Sequence, residues 1–251
     1  MPSGILLRAL WIHRAWRYRL RVDPAEIRWM LGSLGPGDVA ADVGAHKGAY
    51  TYWMRRAVGA EGMVLAYEPQ PELADYLRRG VRAFGWRNVV VSQEALSSRG
   101  GERDLLVPAE GASPGASLVG ASLPRRPRRV RVALDTLDRS LAEHAPGRRL
   151  RLLKCDVEGH ELEVFLGADG VLREHRPRVL FECEARHLAS GSPGDVFAHL
   201  HALGYRGWFF SGGRRLDVAA FDPGRHQVEG VRPYHNNFVF EPLEHERETP
   251  A

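Results

Sequence analysis

The stretch DVGAHKG, residues 42–48, decides the fold. It closes the apolar run VAADVG (39–44) and leads into residues 48–58, which are patterned as a helix. Strand, tight turn and helix in that order open a βαβ unit of a parallel sheet. Gly44 and Gly48 are read as places where the backbone comes close to a ligand at the carboxyl end of the sheet, where open sheets of this kind bind. The spacing is D-x-G-x-x-x-G, and the G-x-G-x-x-G spacing that seats a pyrophosphate on a helix N-terminus is absent here.

Working outward, GMVLAYEP (62–69) reads as a second strand ending in Glu68, 26 positions after Asp42. A carboxylate there accepts from ribose hydroxyls, and Asp42 can accept from a cationic amine. A nucleoside with an amino-acid tail in place of phosphates is S-adenosylmethionine. Pro71 starts the next helix, Leu73, Tyr76, Leu77, Val81 and Phe84 share one face, and Gly85 ends it. Further strands are expected at 88–97, 149–159, 176–184, 205–210 and 236–242, with a helix over 193–203 closed by Gly204. ERDLLVP (102–108) reads as an extra strand, and VRVALDTL (130–137) as ordered chain. Residues 109–129, rich in Gly, Ser, Pro and Arg, read as a mobile lid over a site.

At 251 residues and 44% hydrophobic content, the chain can bury the core of one α/β domain. It has no internal repeat. Its two cysteines, Cys155 and Cys183, sit in apolar runs and suit a reducing compartment. With no apolar stretch of about 20 residues to span a membrane and no continuous apolar leader, a cytoplasmic protein is expected. The net charge is only +4, yet arginine is unevenly placed. Residues 1–30 hold Arg8, Arg14, Arg17, Arg19, Arg21 and Arg28, interleaved with Trp11, Trp16 and Tyr18. Such a segment suits an anionic membrane surface or nucleic acid. On an ideal helix, however, Arg14 and Arg21 lie near Leu7 in angle and Trp16 falls opposite, so no clean stripe results. A helix packed on the domain, its arginine stems covering apolar surface, is the favoured reading. PRRPRRVR (124–131) is read as a solvated loop entering a strand, ahead of a binding site for an acidic substrate.

Six segments, DVGAHKGAY, AYEPQPE, EALSS, VALDTLD, LLKCDVEGHELEVFLGA and RPRVLFE, occur in the order and roughly the spacing of the FkbM-type methyltransferases. The chain resembles that branch of the class I S-adenosylmethionine-dependent enzymes over about residues 36–185. Two positions depart: His46 stands where the family usually has Asn, and His160 where it has a small residue. The resemblance implies a Rossmann-like α/β fold, with a doubly wound, mostly parallel seven-stranded sheet whose last strand is antiparallel. The chain is read as a basic helical segment over 1–35 packed on the core, a methyltransferase domain over 36–242 and a polar tail over 243–251. The resemblance assigns Asp42, Gly44, Ala45, His46, Lys47, Gly48 and Thr51 to the amino-acid end of the cofactor. Glu68 and Pro69 fall at the ribose, Glu94 and Ala95 at the adenine, and Asp156 between cofactor and acceptor.

The implied reaction is methyl transfer to a hydroxyl of a sugar or secondary-metabolite scaffold. A hydroxyl is a poor nucleophile, so a base or a metal at its oxygen helps. Asp156, Glu158 and Glu184 are the candidate catalytic carboxylates, with His160, Glu161, Glu182 and His187 nearby in sequence. Glu161 is read equally as a helix brace and His187 as a surface-loop residue. Alternation along the strand points Glu182 and Glu184 the same way. So many carboxylates admit Mg²⁺, which the sequence does not require. Arg125, Arg126, Arg214, Arg215, Arg225 and Arg232, in the variable segments, hint at a polar or acidic small-molecule acceptor. Three alternatives stay open: N-methylation of a small molecule, a non-catalytic S-adenosylmethionine- or RNA-binding protein, and a nucleic-acid methyltransferase. The last lacks the N/D-P-P-Y motif, and no nucleic-acid partner is expected. A homo-oligomer also stays open.

Overall fold

The computed structural model describes residues 3–108, 116–118 and 127–243. Most of the lid expected at 109–129 lies outside the described residues, as do Arg125, Arg126 and all of the expected tail except Leu243. The chain begins with α1 (Gly4–Arg17), a π-helical turn (Tyr18–Val22) and α2 (Pro24–Gly32). It then alternates through β1 (Val39–Val43), α3 (Ala49–Val58), β2 (Met63–Tyr67), α4 (Pro71–Phe84) and β3 (Val89–Ser92). β4 (Ala95–Leu96), β5 (Gly101–Val107) and β6 (Arg128–Asp135) follow, then α5 (Leu137–His144) and β7 (Leu150–Cys155). The remainder is α6 (Glu161–Leu166), α7 (Asp169–Glu174), β8 (Arg178–Glu182), α8 (Pro193–Ala202), β9 (Tyr205–Ser211), β10 (Arg214–Asp217), α9 (Pro223–His226) and β11 (Asn237–Pro242).

The main sheet runs β10-β9-β11-β8-β7-β1-β2-β3, parallel from β8 to β3, with β11 antiparallel to both neighbours. β1 lies near its centre and is buried along its whole length, which is why VAADV carries no alternation. Val39, Ala41 and Val43 pack on the layer of α5 to α8, and Ala40 on the layer of α1 to α4. Helix boundaries follow local chemistry. Pro71 opens α4 and left-handed Gly85 closes it; Ser192 and Asp195 form a capping box on α8.

Three features differ from the sequence expectation. The segment 88–97 is not one strand: β3 ends the main sheet, and β4 joins β6 and β5 in a separate three-stranded sheet. The Ser92 hydroxyl donates to Glu94 (3.0 Å) and accepts from the Glu94 N–H (3.2 Å), a local turn that breaks the strand. An eighth strand, β10, extends the sheet from the region read as loop. It forms a hairpin with β9 through Gly212 and Gly213, both left-handed, as a two-residue hairpin turn requires. Third, α1 does have distinct faces. Leu7, Trp11 and Ala15 are buried in the core, while Ile5, Leu6, Leu10, Ile12 and Trp16 are exposed.

The arginine-rich segment at 124–131 does enter a strand. Its described arginines pair on the surface: Arg128 with Glu72 (2.9 Å), Arg131 with Glu102 (3.2 Å), and both Arg129 and Arg131 with Asp104. Exposed pairs of this kind contribute at most about 1 kcal/mol each. Both cysteines are buried and free. No helix among the described residues is long and apolar enough to cross a membrane.

Candidate active site

A cavity of about 570 Å³ opens at the carboxyl ends of β1, β2, β7 and β8, within the usual range for a small-molecule site. Of the residues expected at the cofactor, Asp42, Gly44, Ala45, His46, Lys47, Glu68, Pro69, Glu94, Ala95 and Asp156 line it. Gly48 and Thr51 do not, and their roles are different. Gly48 is left-handed, and a Cβ there would collide with the ring of Trp11 from α1. Gly44, also left-handed, lies under the Asp156 carbonyl, which a Cβ would strike. Both glycines are therefore demanded by close packing within the protein, which corrects the reading that a ligand alone requires them.

Asp42 is fully buried. Its Oδ2 accepts from the Thr51 hydroxyl at 2.5 Å, and its Oδ1 lies 3.5 Å from the Lys154 ammonium. Lys154 also reaches the Gly44 carbonyl (3.1 Å) and Asp156 Oδ2 (3.4 Å). Burial alone would lower its pKa, but Asp156 and Asp42 outweigh that and raise it, so the ammonium is fixed. Lys154 was not among the expected site residues. Its signal in the sequence was a lone lysine inside the apolar strand LRLLKC, where a charge needs a buried partner.

Glu68, buried at the end of β2, accepts from the His46 N–H (2.8 Å) and the Gln70 N–H (3.0 Å). It therefore holds the glycine turn to the next strand. Burial raises its pKa to about 7, which the two backbone bonds only partly offset. His46 is left-handed, and burial, reinforced by Lys47, lowers its pKa to about 4. Beyond it, Glu94 and Ala95 share an apolar recess with Leu96, Leu105 and Leu118. His160 also lines the cavity, its Nε2 3.0 Å from the Ser97 hydroxyl, and burial keeps it neutral with a pKa of about 4.

The opposite end of the cavity is acidic. Asp156, Glu158 and Glu182 line it, together with Asp23 and Glu26 from the N-terminal segment. Glu158 sits in left-handed backbone, an unusual conformation for a non-glycine residue and one that tends to occur at functional sites. Its Oε2 lies 2.6 Å from His187 Nδ1. His187 is thus buried behind the site and not on a surface loop; its pKa is raised first by the Glu158 hydrogen bond. Glu184 does not line the cavity. Burial opposes its ionisation, yet Arg186, Tyr234 and Asn236 bond to it and lower its pKa to about 2. Glu182 does line the cavity, linked to Glu184 through Asn236, and burial with its neighbouring carboxylates raises its pKa. Glu161 accepts from the N–H groups of Val157 and Gly159 and so braces the turn before α6. Among the described residues no cluster of three or more His, Cys, Asp or Glu side chains is placed to hold a metal, so the opening left for Mg²⁺ has no support. Tyr18, Asp23 and Glu26 went unrecognised as cavity residues because the segment that carries them lies outside the βαβ pattern, and Tyr50, in the first turn of α3, was missed inside it.

Of the four described arginines taken to hint at an acidic acceptor, only Arg232 lines the cavity. Arg215 pairs with Glu241 (3.3 Å) and lies over the Trp208 ring, and Arg214 and Arg225 are exposed.

β3-β2-β1-β7-β8-β11-β9, with β11 inserted antiparallel, is the class I methyltransferase arrangement, and the cavity sits at its switch point. Residues 42–206, well over half of the chain, match the Methyltransferase FkbM domain. The chain belongs to the FkbM methyltransferase family. No curated protein matches the sequence. Among solved structures, the FkbM methyltransferase from Methylobacillus flagellatus KT is similar at TM-score 0.52 and 13% identity, over 93% of this chain and 54% of that one. The chain thus spans about half the length of that protein. A candidate rRNA methylase from Clostridium thermocellum is similar at TM-score 0.51 and 7% identity, over 86% of this chain and 92% of that one. At these identities the two structures share the fold.

Proposed function

We propose that the protein transfers a methyl group from S-adenosylmethionine to a hydroxyl of a small polar acceptor, a sugar or a secondary-metabolite scaffold. The residues present fit the cofactor: a buried carboxylate, Glu68, at the end of β2, an apolar recess past Ala95, and carboxylates at the far end that favour a positive charge. When bound, the cofactor supplies an electrophilic sulfonium methyl. In this reading Glu68 holds the ribose, the Asp42–Lys154–Asp156 cluster fixes the floor at the amino-acid end, and Glu94 and Ala95 border the adenine.

The observation that carries the reading is the Glu158–His187 pair at the acidic end. With His187 Nδ1–H fixing one carboxylate oxygen, Glu158 offers the other to an acceptor hydroxyl and takes its proton. Asp156 orients the acceptor beside it, and Glu184 acts from behind through Asn236. The acidic lining favours a neutral or basic acceptor over an acidic one. It also favours a second reading, N-methylation of an amine held by Asp23, Glu26 and Glu182.

Purified protein with isotopically labelled S-adenosylmethionine and a panel of sugars and polyketide alcohols tests both. Mass spectrometry of the product should place the label on oxygen, and label on nitrogen would select the second reading. Glu158→Gln should lower kcat by about a hundredfold or more while leaving cofactor affinity nearly unchanged. Near-normal turnover in that variant would remove Glu158 as the base.

A further inference from the structure

Among the described residues, eleven large hydrophobic side chains are exposed, and seven of them lie between Ile5 and Val22. Ile5 is 81% exposed and Leu20 65%. Ile5, Ile12 and Trp16 recur at i, i+7 and i+11, within roughly 40° on a helix of 3.6 residues per turn, on the side away from buried Leu7, Trp11 and Ala15. Single exposed apolar residues need no explanation, but a contiguous row on one helix marks an interaction surface. Exposed Arg8, Arg17 and Arg21 border the row, and residues 3–22 contain five arginines and no Asp or Glu.

We propose that this face of α1 and the π-helical turn docks on an anionic lipid bilayer, lying in the plane of the headgroups. An apolar row flanked by cations is what that interface selects: the apolar side chains enter the acyl boundary while the guanidinium groups meet lipid phosphates. A second copy of this chain fits poorly, because isologous pairing would set arginine against arginine with no acid on the strip to offset them. Nucleic acid fits poorly too, because the middle of the row offers it no charge. The helix is already held from behind. Trp11 stacks on Tyr76, and Arg14 donates to the Tyr76 hydroxyl (3.0 Å), so docking orders no new structure. The segment also supplies Arg14, Tyr18 and Val22 to the cavity wall, which puts the cavity about one helix diameter, roughly 10 Å, from the docked face.

Sedimentation of the full chain with vesicles tests this. Binding is expected to phosphatidylcholine vesicles containing phosphatidylglycerol, to fall at high salt, and to be weak with phosphatidylcholine alone. Ile5→Glu and Ile12→Glu, at exposed positions, should leave the unfolding curve unchanged and weaken binding by at least about tenfold. Arg17→Gln or Arg21→Gln should each weaken it about fivefold. Three results would overturn the proposal: no sedimentation with the anionic vesicles, sedimentation that Ile12→Glu leaves unchanged, or a dimer in solution that Ile12→Glu dissolves. Binding to RNA but not to vesicles would likewise reassign the arginines.

Discussion

At the scale of single residues, the site is made of charges that the fold keeps in place by unequal means. Lys154 is held by Asp42, Asp156 and the Gly44 carbonyl, whereas Glu161 accepts from backbone N–H groups and bonds with the Cys183 thiol. That difference has a consequence for stability. Burial raises the Glu161 carboxyl from 4.5 to about 7. Between those values the folded chain holds a proton there that the unfolded chain has released, so stability falls as pH rises through the window. Glu161→Gln should abolish this share of the slope. Compared with wild type by urea unfolding, the variant should gain up to about 3 kcal/mol in relative stability between pH 4.5 and 7.5. Parallel pH profiles for the two proteins would show that Glu161 is ionised throughout. Glu68, Asp23 and Glu26 are raised in the same direction and act equally in both proteins, so the difference isolates Glu161.

At the scale of elements, the N-terminal helix is joined to the cofactor turn through Trp11 and through Arg14, which donates to the Lys47 carbonyl (3.4 Å). Trp11 is 1% exposed, stacks with Tyr76, and meets Phe84 and Trp86 edge-on. Gly48 and Gly80 are both flattened against its ring. Trp11→Ala should cost about 3–5 kcal/mol, the scale of removing a buried aromatic. Urea unfolding measures it, and a loss below about 1 kcal/mol would mean that α1 is not part of the cooperative unit. The parallel strands were legible because buried strands read as apolar runs and their helices carry caps at fixed offsets. The hairpin partner β10 was not, although Gly212-Gly213 is a turn signal, because its residues, RRLD, lack an apolar alternation. The two faces of α1 were not separable either. Both are apolar, and only the aromatic surface of α3 and α4 decides which one is buried.

For the molecule as a whole, the class of protein was legible from short motifs, and the geometry of its site only partly. Asp42, Glu68 and Asp156 stand at the strand ends read for them, because strand ends can be read locally, whereas Glu94 was read inside a strand and lies in the turn between β3 and β4. Gly44 lines the cavity and Gly48 does not, and both are demanded by packing that a local reading of the sequence does not show. The Asp156 carbonyl and the Trp11 ring that press on them come from distant parts of the chain. His187 was misjudged for the same cause: its partner Glu158 belongs to a different strand end. The resulting cavity has room and carboxylates for a nucleoside with a cationic tail, and no glycine cradle for a pyrophosphate. Calorimetry with S-adenosylhomocysteine and with NAD is the most direct test of that claim. S-adenosylhomocysteine should bind and NAD should not, and Glu68→Ala should weaken the former by about 1.5–3 kcal/mol, the scale of a lost charged hydrogen-bond partner. Tight NAD binding with no signal from S-adenosylhomocysteine would contradict the account.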